Sequence, residues 1–533
     1  MNPPSPDPSG ASVSAPTGRT TAIVLAAGLG TRMKSAVPKV LHLLCGRPML
    51  AYVLDAWSEA ASETASADES EVARSTANPT ATRPVVVYSP AVDAVREPFA
   101  DRADFALQDE PRGTGDAVRA ALSAVPDDAA EILVLSGDVP LVTGEDLRAI
   151  LDARREDDAA IALATFFAAD PDRLGRVVRS EFGTVEAIVE AKDATEEQLF
   201  NNEVNAGLYV FDAAWLRRRI GSLGPSSTTG ELYLTDLVRL AREDGRLVIA
   251  VAFEDDGRFD GINDRSQLAA AEWNLRVRRN EQHMRDGVTM RDPSTVYLDW
   301  GVTLGRDVTI EPNVILRGTT SVGEASVIGA GSQIVDSTIG RNARVWASIV
   351  ESSTVEDDAS VGPFSHVRPG SVVGKGAEVG NYAELKNTHL GAGSKQHHMS
   401  YLGDAQIGKG VNIGAGTVTA NYDGTRKTRT TIGDGAFIGV DTMIVAPREI
   451  GEGARTGAGA VVTKDVPPGK LAVGVPARIR EPRPNPPPDG ADESDTSKAS
   501  DASKASDASG DAATADTAAT SEQSEPAAGD GPS

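Results

Sequence analysis

The first residues in this chain whose types and spacing could do chemistry lie in LAAGLGTRMKSAVPK, residues 25–39, directly after a short apolar run. Gly28 and Gly30 stand there with two cations, Arg32 and Lys39. A dinucleotide-binding turn wants G-x-G-x-x-G, the third glycine letting the helix pack closely on the strand. Here the third position is Met33, and no G-K-[S/T] follows to make a P-loop. Two flexible backbone positions and two cations describe instead a loop that wraps a triphosphate and leaves the reacting phosphorus accessible. Further on, EILVLSGDVPL ends an apolar run with Gly137-Asp138. That puts Asp138 at the carboxyl end of a strand, where open α/β sheets bind ligands. A carboxylate there is a hard oxygen ligand of the kind Mg²⁺ prefers. Taken singly, each feature has a plain structural reading, a tight turn or a strand-end Asp.

A second set of candidates lies far downstream. Four of the six histidines, His366, His389, His397 and His398, fall in the C-terminal half. They lack the three-ligand pattern of a zinc site. A histidine titrates near neutral pH and suits general-base work. In an extended strand His397 and His398 face opposite sides, and the residues alone do not choose between them.

The elements that must position these groups change grammar along the chain. Residues 1–19 are rich in Pro, Ser and Ala with no large apolar side chain besides Met1 and Val13, and read as disordered. Residues 20–262 alternate apolar strands (TAIVLAAG, PVVVYS, EILVLSGDVPL, AIALATFF, NAGLYVF, LVIAVAF) with helical stretches, which predicts an α/β domain with a mostly parallel sheet. The polar run 62–83 reads as a flexible insertion. Residues 263–295 form a linker whose helix opens on an Asn-Asp cap and repeats Leu268, Ala271 and Leu275 at helical spacing. From 296 to 480 aliphatics recur every six residues, as at Leu304, Ile310, Leu316, Val322, Ile328 and Ile334. That period marks a parallel β-helix of hexapeptide repeats, about ten coils and about 48 Å of stack. NYDGTRKTRTT (421–431) breaks the rhythm, as a loop leaving the prism does. Residues 481–533 carry no Val, Ile, Leu, Met or aromatic and read as an acidic, solvated tail.

Bulk properties exclude several classes. A net charge of −25 argues against a nucleic-acid partner. The longest apolar stretch, residues 159–169, is too short to span a bilayer, and MNPPSPDPSG has neither the basic start nor the apolar run expected of a signal peptide. One cysteine, Cys45, excludes an intrachain disulfide, fits a reducing compartment and reads as a small buried hydrophobe. Together these predict a cytoplasmic protein.

In chain order LAAGLGTRM…PKVLH, QDEPRGTGDAV, LSGDVPL, GRVVR, IVEAKD, NEVNAGLYVF, ELYLTD and DGIND resemble the sugar-1-phosphate nucleotidylyltransferases. With the repeats, residues 20–480 resemble the bacterial bifunctional uridyltransferase–acetyltransferase family that makes UDP-N-acetylglucosamine, a cell-wall precursor. The resemblance implies a Rossmann-like nucleotidyltransferase domain followed by a left-handed β-helix. It assigns UTP to Leu25, Ala26, Ala27, Gly28 and Lys39, with Arg32 and Lys39 as the catalytic cations of the loop. Gln108, Gly113 and Thr114 would read the uracil, with Ser136 and Gly137 beside it. Asp138 and Asn263 would hold Mg²⁺, and Gly175, Glu190 and Asn205 would contact N-acetylglucosamine 1-phosphate.

In the repeats, SKQHHMSYLGDAQIG aligns His398 with the family's general base through Lys395-x-x-His398-x-x-Tyr401. Glu384 would orient its imidazole, and Arg368, Lys386, Tyr401 and Asn412 would bind glucosamine 1-phosphate. Ala415, Asn421, Tyr422, Val440 and Ala458 would contact acetyl-CoA, with Lys427 supplied by a neighbouring subunit of a homotrimer. Three positions depart from the family pattern. SPAV follows PVVVY where Gly-His is frequent, Ser136 stands where an aromatic is sometimes found, and Val440 replaces a common Ser or Thr. Two other readings compete: a monofunctional nucleotidylyltransferase with a structural β-helix, and a catalytically dead homologue that binds or regulates. Intact Lys39, Asp138 and Asn263 oppose the second.

Overall fold

The computed structural model describes residues 19–63, 83–171 and 173–481. The expected tails and the insertion therefore lie outside the described residues except at their edges, where Arg19 already belongs to the first strand.

The six apolar runs named above all form strands. With a seventh strand, Asp104–Leu107, they build one sheet in the order Val248–Phe253, Ile161–Phe167, Glu203–Asp212, Ala129–Ser136, Arg19–Leu25, Val85–Tyr88, Asp104–Leu107. Neighbours run parallel except Glu203–Asp212, which is antiparallel to both of its partners. Buried side chains from both faces pack into two separate apolar clusters, which is why the central strands read as continuous rather than alternating apolar runs. A hairpin, Arg176–Arg179 with Val185–Val189, attaches to the antiparallel strand. Its strands are only four and five residues long, each broken or flanked by charged residues, and it was not foreseen from the sequence.

The linker helix runs from Arg265 to Arg285, 21 residues and about 30 Å at the usual rise. Asp264 caps it by accepting from the backbone N–H groups of Ser266 and Gln267. Ala271 and Leu275 pack it against Leu44, Met49, Tyr52, Leu141 and Ile262. Cys45 is buried in the same cluster, and burial pushes its thiol up to about 11, so it behaves as a packing residue.

The repeat region winds three parallel sheets into a prism, and the expected inward aliphatics form its core. The first rung pairs Thr289–Met290 with Thr309–Ile310, so the prism begins inside the segment read as linker. The drift in the six-residue period has a simple origin. Val322 pairs with Ile339 and Ile339 with Val355, intervals of 17 and 16 residues, against 18 for Val355 to Val373. One side of the first coil and two sides of the second are shortened by a residue each, and the inward register survives. Non-glycine residues at left-handed φ, among them Asp307, Asn313, Asn342 and Asp358, turn the corners. From Ile407 to Ile432 the coil takes 25 residues, the excess being the loop after Ala420. Among the described residues, no helix is long and apolar enough to cross a membrane.

Candidate functional site

After its first strand the chain adds two strands on one side and then crosses to pair Ala129–Ser136 on the other. Leu25 and Ser136 are register partners at the carboxyl ends of these two central strands. A crevice must open at such a reversal of strand order. A cleft of about 420 Å³ lies there, lined by Leu25, Ala26, Ala27, Gly28, Lys39, Gln108, Gly113, Thr114, Ser136, Asp138 and Glu190. A second opening of about 950 Å³ holds Arg32 and Asn263 and shares Glu190.

At the floor of the cleft the Lys39 ammonium donates to Asn263 Oδ1 at 3.1 Å and makes a short contact to Asp138 Oδ2. Ser136 Oγ donates to the other Asp138 oxygen at 2.5 Å, so the serine at this departing position orients the carboxylate. Asn263 is fixed by the start of the linker helix, its N–H donating to Gln267 Oε1. Two hard oxygen donors thus converge on one cationic point, a set that fits a divalent ion such as Mg²⁺. Gly30 adopts φ +59°, and a Cβ there would meet Lys39 Cβ at 2.6 Å. Only glycine lets the loop fold down onto this lysine. Ser89, the other departure, is buried and ties its hydroxyl to the carbonyl of Ala27 at 2.9 Å, holding the loop from behind.

Gln108 is buried, and its NH₂ donates to Asp116 Oδ2 at 2.9 Å and to the Gly113 carbonyl at 3.2 Å. A carboxylate accepts and cannot donate, so Asp116 fixes the amide with its oxygen free to accept. That end complements an N–H such as the one at N3 of uracil. Asp116, which holds this candidate residue, was not singled out in the sequence; its only signal was an acid two residues after Thr114.

Gly175, Glu190 and Asn205 come together beside the cleft. Asn205 N–H donates to the Gly175 carbonyl at 2.9 Å, and a Cβ on Gly175 would lie 3.7 Å from Glu190 Oε2. Thr235 Oγ1 donates to Glu190 at 3.1 Å, and Asn205 Nδ2 donates to the Tyr209 hydroxyl at 2.6 Å. Burial pushes the Glu190 carboxyl above its ordinary range, and Asp193, Asp236 and Glu231 push it the same way. Thr235 and Tyr209 were also missed.

The prism's first face is the sheet that opens at Thr289–Met290 and its second the sheet that opens at Tyr297–Leu298; the second stacks His366, Glu384 and Tyr401 in one column, and Arg368, Lys386 and Gly403 in the next. Arg368 donates to Glu384 at 2.8 Å, and Lys386 contacts both oxygens of Asp404 at 3.1 Å. The carboxylate expected to orient the base is therefore held by the arginine expected to hold phosphate. His397 and His398 sit at the corner between the first and second faces, their rings nearly perpendicular at 82°. His397 is engaged by Glu378 at 2.7 Å. Among the described residues His398 has no side-chain hydrogen-bond partner.

The same corner carries three of the expected acetyl-CoA residues. Gly416 N–H donates to the Met399 carbonyl, Asp441 to Ala415 and Gly459 to Val440, a ladder that stacks Ala415, Val440 and Ala458 below His398. Asn412 lies round the corner on the first face, beside Lys395 and Phe437. Asn421 and Tyr422 lie at the far edge of the second face. One prism brings Arg368, Lys386, Tyr401 and Glu384 together and leaves Asn412, Tyr422 and the corner column apart.

Residues 22–171 match the MobA-like NTP transferase domain, and residues 429–464 match the bacterial transferase hexapeptide repeats. The chain is 43% identical over 455 residues to the bifunctional protein GlmU of Heliobacterium modesticaldum, covering 85% of this chain and 95% of that protein. It is 46% identical over 464 residues to GlmU of Rhodococcus jostii, covering 85% and 89%. Against GlmU of Mycobacterium bovis it is 42% identical over 464 residues, covering 86% and 90%. This chain spans these relatives almost whole at 42–46% identity, and it belongs to the GlmU family of bifunctional proteins.

Proposed function

We propose that the chain carries two enzymes. The prism transfers acetyl from acetyl-CoA to glucosamine 1-phosphate. The α/β domain then transfers uridylyl from UTP to N-acetylglucosamine 1-phosphate, forming UDP-N-acetylglucosamine and releasing pyrophosphate. The observation that carries this reading is that Gly28, Lys39, Asp138 and Glu190 line one cleft, with Asn263 bonded to Lys39 and lining the adjoining opening that shares Glu190.

In the uridylyl step the sugar phosphate attacks the α-phosphorus in line and pyrophosphate leaves, so positioning and charge neutralisation are what the protein must supply. Gln108 accepts from the uracil N3–H. Leu25, Ala26, Ala27 and Gly28 line the nucleotide, with Gly113 and Thr114 at its base and Gly137 behind it. Lys39 and Arg32 offset charge on the transferring and leaving oxygens. Glu190, Asn205 and Gly175 hold the sugar. Asp138 and Asn263 hold Mg²⁺, which when bound neutralises phosphate charge.

In the acetyl step His398 takes the proton from the attacking amine of glucosamine 1-phosphate as the thioester is cleaved to free CoA. Arg368 and Lys386 hold the phosphate, with Tyr401 and Asn412 beside the sugar. Ala415, Asn421, Tyr422, Val440 and Ala458 line acetyl-CoA. Residues pointing outward from a convex prism cannot enclose a substrate alone. A homotrimer supplies the missing wall, with Lys427 reaching a neighbour's site. We assign the protein to the cytoplasm, where UTP and acetyl-CoA are available.

The test supplies UTP, acetyl-CoA, Mg²⁺ and glucosamine 1-phosphate and follows free thiol and pyrophosphate separately. The expected result is thiol first and pyrophosphate second. Pyrophosphate from N-acetylglucosamine 1-phosphate without thiol from the amine would leave the prism a scaffold.

A further inference from the structure

Asp404 lies at a corner of the prism with φ +49°, only 7% exposed, and no step above uses it. Its carboxylate is shared. Lys386 Nζ donates to both oxygens at 3.1 Å, and Asn387 Nδ2 donates to Oδ1 at 2.7 Å. Asn421 Nδ2 donates to Oδ2 in a short contact. Burial works to raise this carboxyl, but the hydrogen bonds from Asn387, Lys386 and Asn421 hold it below the ordinary carboxylate value.

The backbone of Asp404 repeats the pattern. Its N–H donates to the Lys386 carbonyl at 2.9 Å, and its own carbonyl accepts from Thr430 N–H at 3.2 Å. Asn421 opens the loop that leaves the prism, and Thr430 begins the strand where the chain returns. One residue therefore grips both ends of the loop read as binding acetyl-CoA, and also the lysine read as binding the sugar phosphate.

We infer that Asp404 is a positioning residue that couples the two substrate sites of the acetyltransferase. The inference rests on the proposed roles of Lys386 and Asn421. An ammonium has three donors, and in the free protein Lys386 directs them towards Asp404. A phosphate that draws the ammonium towards itself leaves the carboxylate more fully to Asn421 and Asn387, which tightens the loop. Sugar phosphate and coenzyme then each favour the binding of the other, by the same factor in both directions.

The test is calorimetric binding of CoA to the full-length protein, with and without saturating glucosamine 1-phosphate, a pair that cannot react. In the wild type CoA binding is expected to tighten about fivefold or more when the sugar phosphate is present. In Asp404→Asn that factor falls to about one, because a neutral amide cannot accept from all three donors. Asn421→Ala leaves the carboxylate and the corner intact and is expected to weaken CoA binding and also to abolish the coupling. This second variant keeps the test decisive if Asp404→Asn folds poorly. Lys386→Ala separates the two levels of the argument. If it leaves sugar-phosphate binding unchanged, the reading of the site fails. If it weakens that binding while Asp404→Asn and Asn421→Ala keep the wild-type coupling, the role of Asp404 is overturned. Absence of coupling in the wild type overturns it equally.

Discussion

In the proposed reading the two halves of this molecule solve the same problem, gathering charged groups round a sugar phosphate, by opposite geometry. In the α/β domain the groups come from remote parts of the chain and meet in a concavity. Lys39, Asp138 and Asn263 are separated by 99 and 224 residues, yet they converge because the sheet reverses its strand order there. In the prism the groups come from neighbouring coils and stand on a convex surface, Arg368 beside Lys386 and Glu384 beside Tyr401. A concave site is complete within one chain. A convex site aligns its residues accurately but has no opposing wall. The uridylyl activity should therefore depend on single side chains of one subunit, and the acetyl activity on single side chains and on assembly.

Substitutions of the two most exposed chemical roles separate the halves. His398→Ala is expected to lower the acetyl-transfer kcat by about 10²–10⁴-fold, the range for losing a general base, and to leave pyrophosphate release from N-acetylglucosamine 1-phosphate unchanged. An acetyl rate within a few-fold of wild type would move the base elsewhere, with Glu378-bound His397 the first alternative. Lys39→Ala is the mirror experiment. It is expected to cost about 10²–10³-fold in uridylyl transfer, as for removal of a charge-stabilising donor, with thiol release unaffected. If both activities fell together in either variant, the two halves would not be independent.

The convex geometry is sharpened by mixing subunits. Neither His398→Ala nor Lys427→Ala alone should transfer acetyl efficiently if each site takes its base from one subunit and its lysine from the next. In mixed trimers assembled at random from equal amounts, about a quarter of the sites combine both intact residues. Recovery to about that fraction supports a site between subunits. No recovery would place both residues within one subunit, and the comparison drawn above would break.

These contrasts also explain how much was legible beforehand. The prism announced itself because every coil repeats the same demand for an inward aliphatic. Five-residue sides, such as those that bring Ile339 under Val322 at 17 residues, were visible only as a lost phase. The strands of the α/β sheet were legible because burial on both faces makes them continuous apolar runs. The convergence of Lys39, Asp138 and Asn263 was not, since no local pattern links them, and only the family resemblance joined them. Partners of site residues were the least visible. Asp116 behind Gln108, Tyr209 behind Asn205 and Asp404 behind Lys386 are polar residues whose meaning depends on what they touch.

Asp116 tests that last point in the concave site. Its carboxylate holds the Gln108 amide with the oxygen outward. Asp116→Ala removes one hydrogen bond to the amide, so the preference for UTP over CTP is expected to fall about tenfold while the kcat with UTP changes little. An unchanged ratio would assign base recognition to the backbone round Gly113 and Thr114.

The smallest effect concerns a residue that breaks the prism's own rule. Gln396 occupies an inward position between Leu390 and Leu402, fully buried, where its neighbour one coil back is Val379. Its Nε2 donates to Ser400 Oγ at 2.9 Å, but its Oε1 is buried without a partner. Ser400 in turn donates to the His398 carbonyl at 2.9 Å, so this polar chain runs under the corner proposed to hold the base. A buried acceptor left unpaired costs about 1–3 kcal/mol, more than the single hydrogen bond returns. Gln396→Val removes both and nearly conserves volume, so the prism is expected to gain about 1 kcal/mol, read as a higher denaturant midpoint at unchanged slope. If the amide holds the corner in shape, the gain comes with a lower acetyl-transfer kcat and an unchanged uridylyl rate. A gain in stability with both rates unchanged would mean that the backbone ladder alone fixes His398, and that the polar interior under it is dispensable to the chemistry.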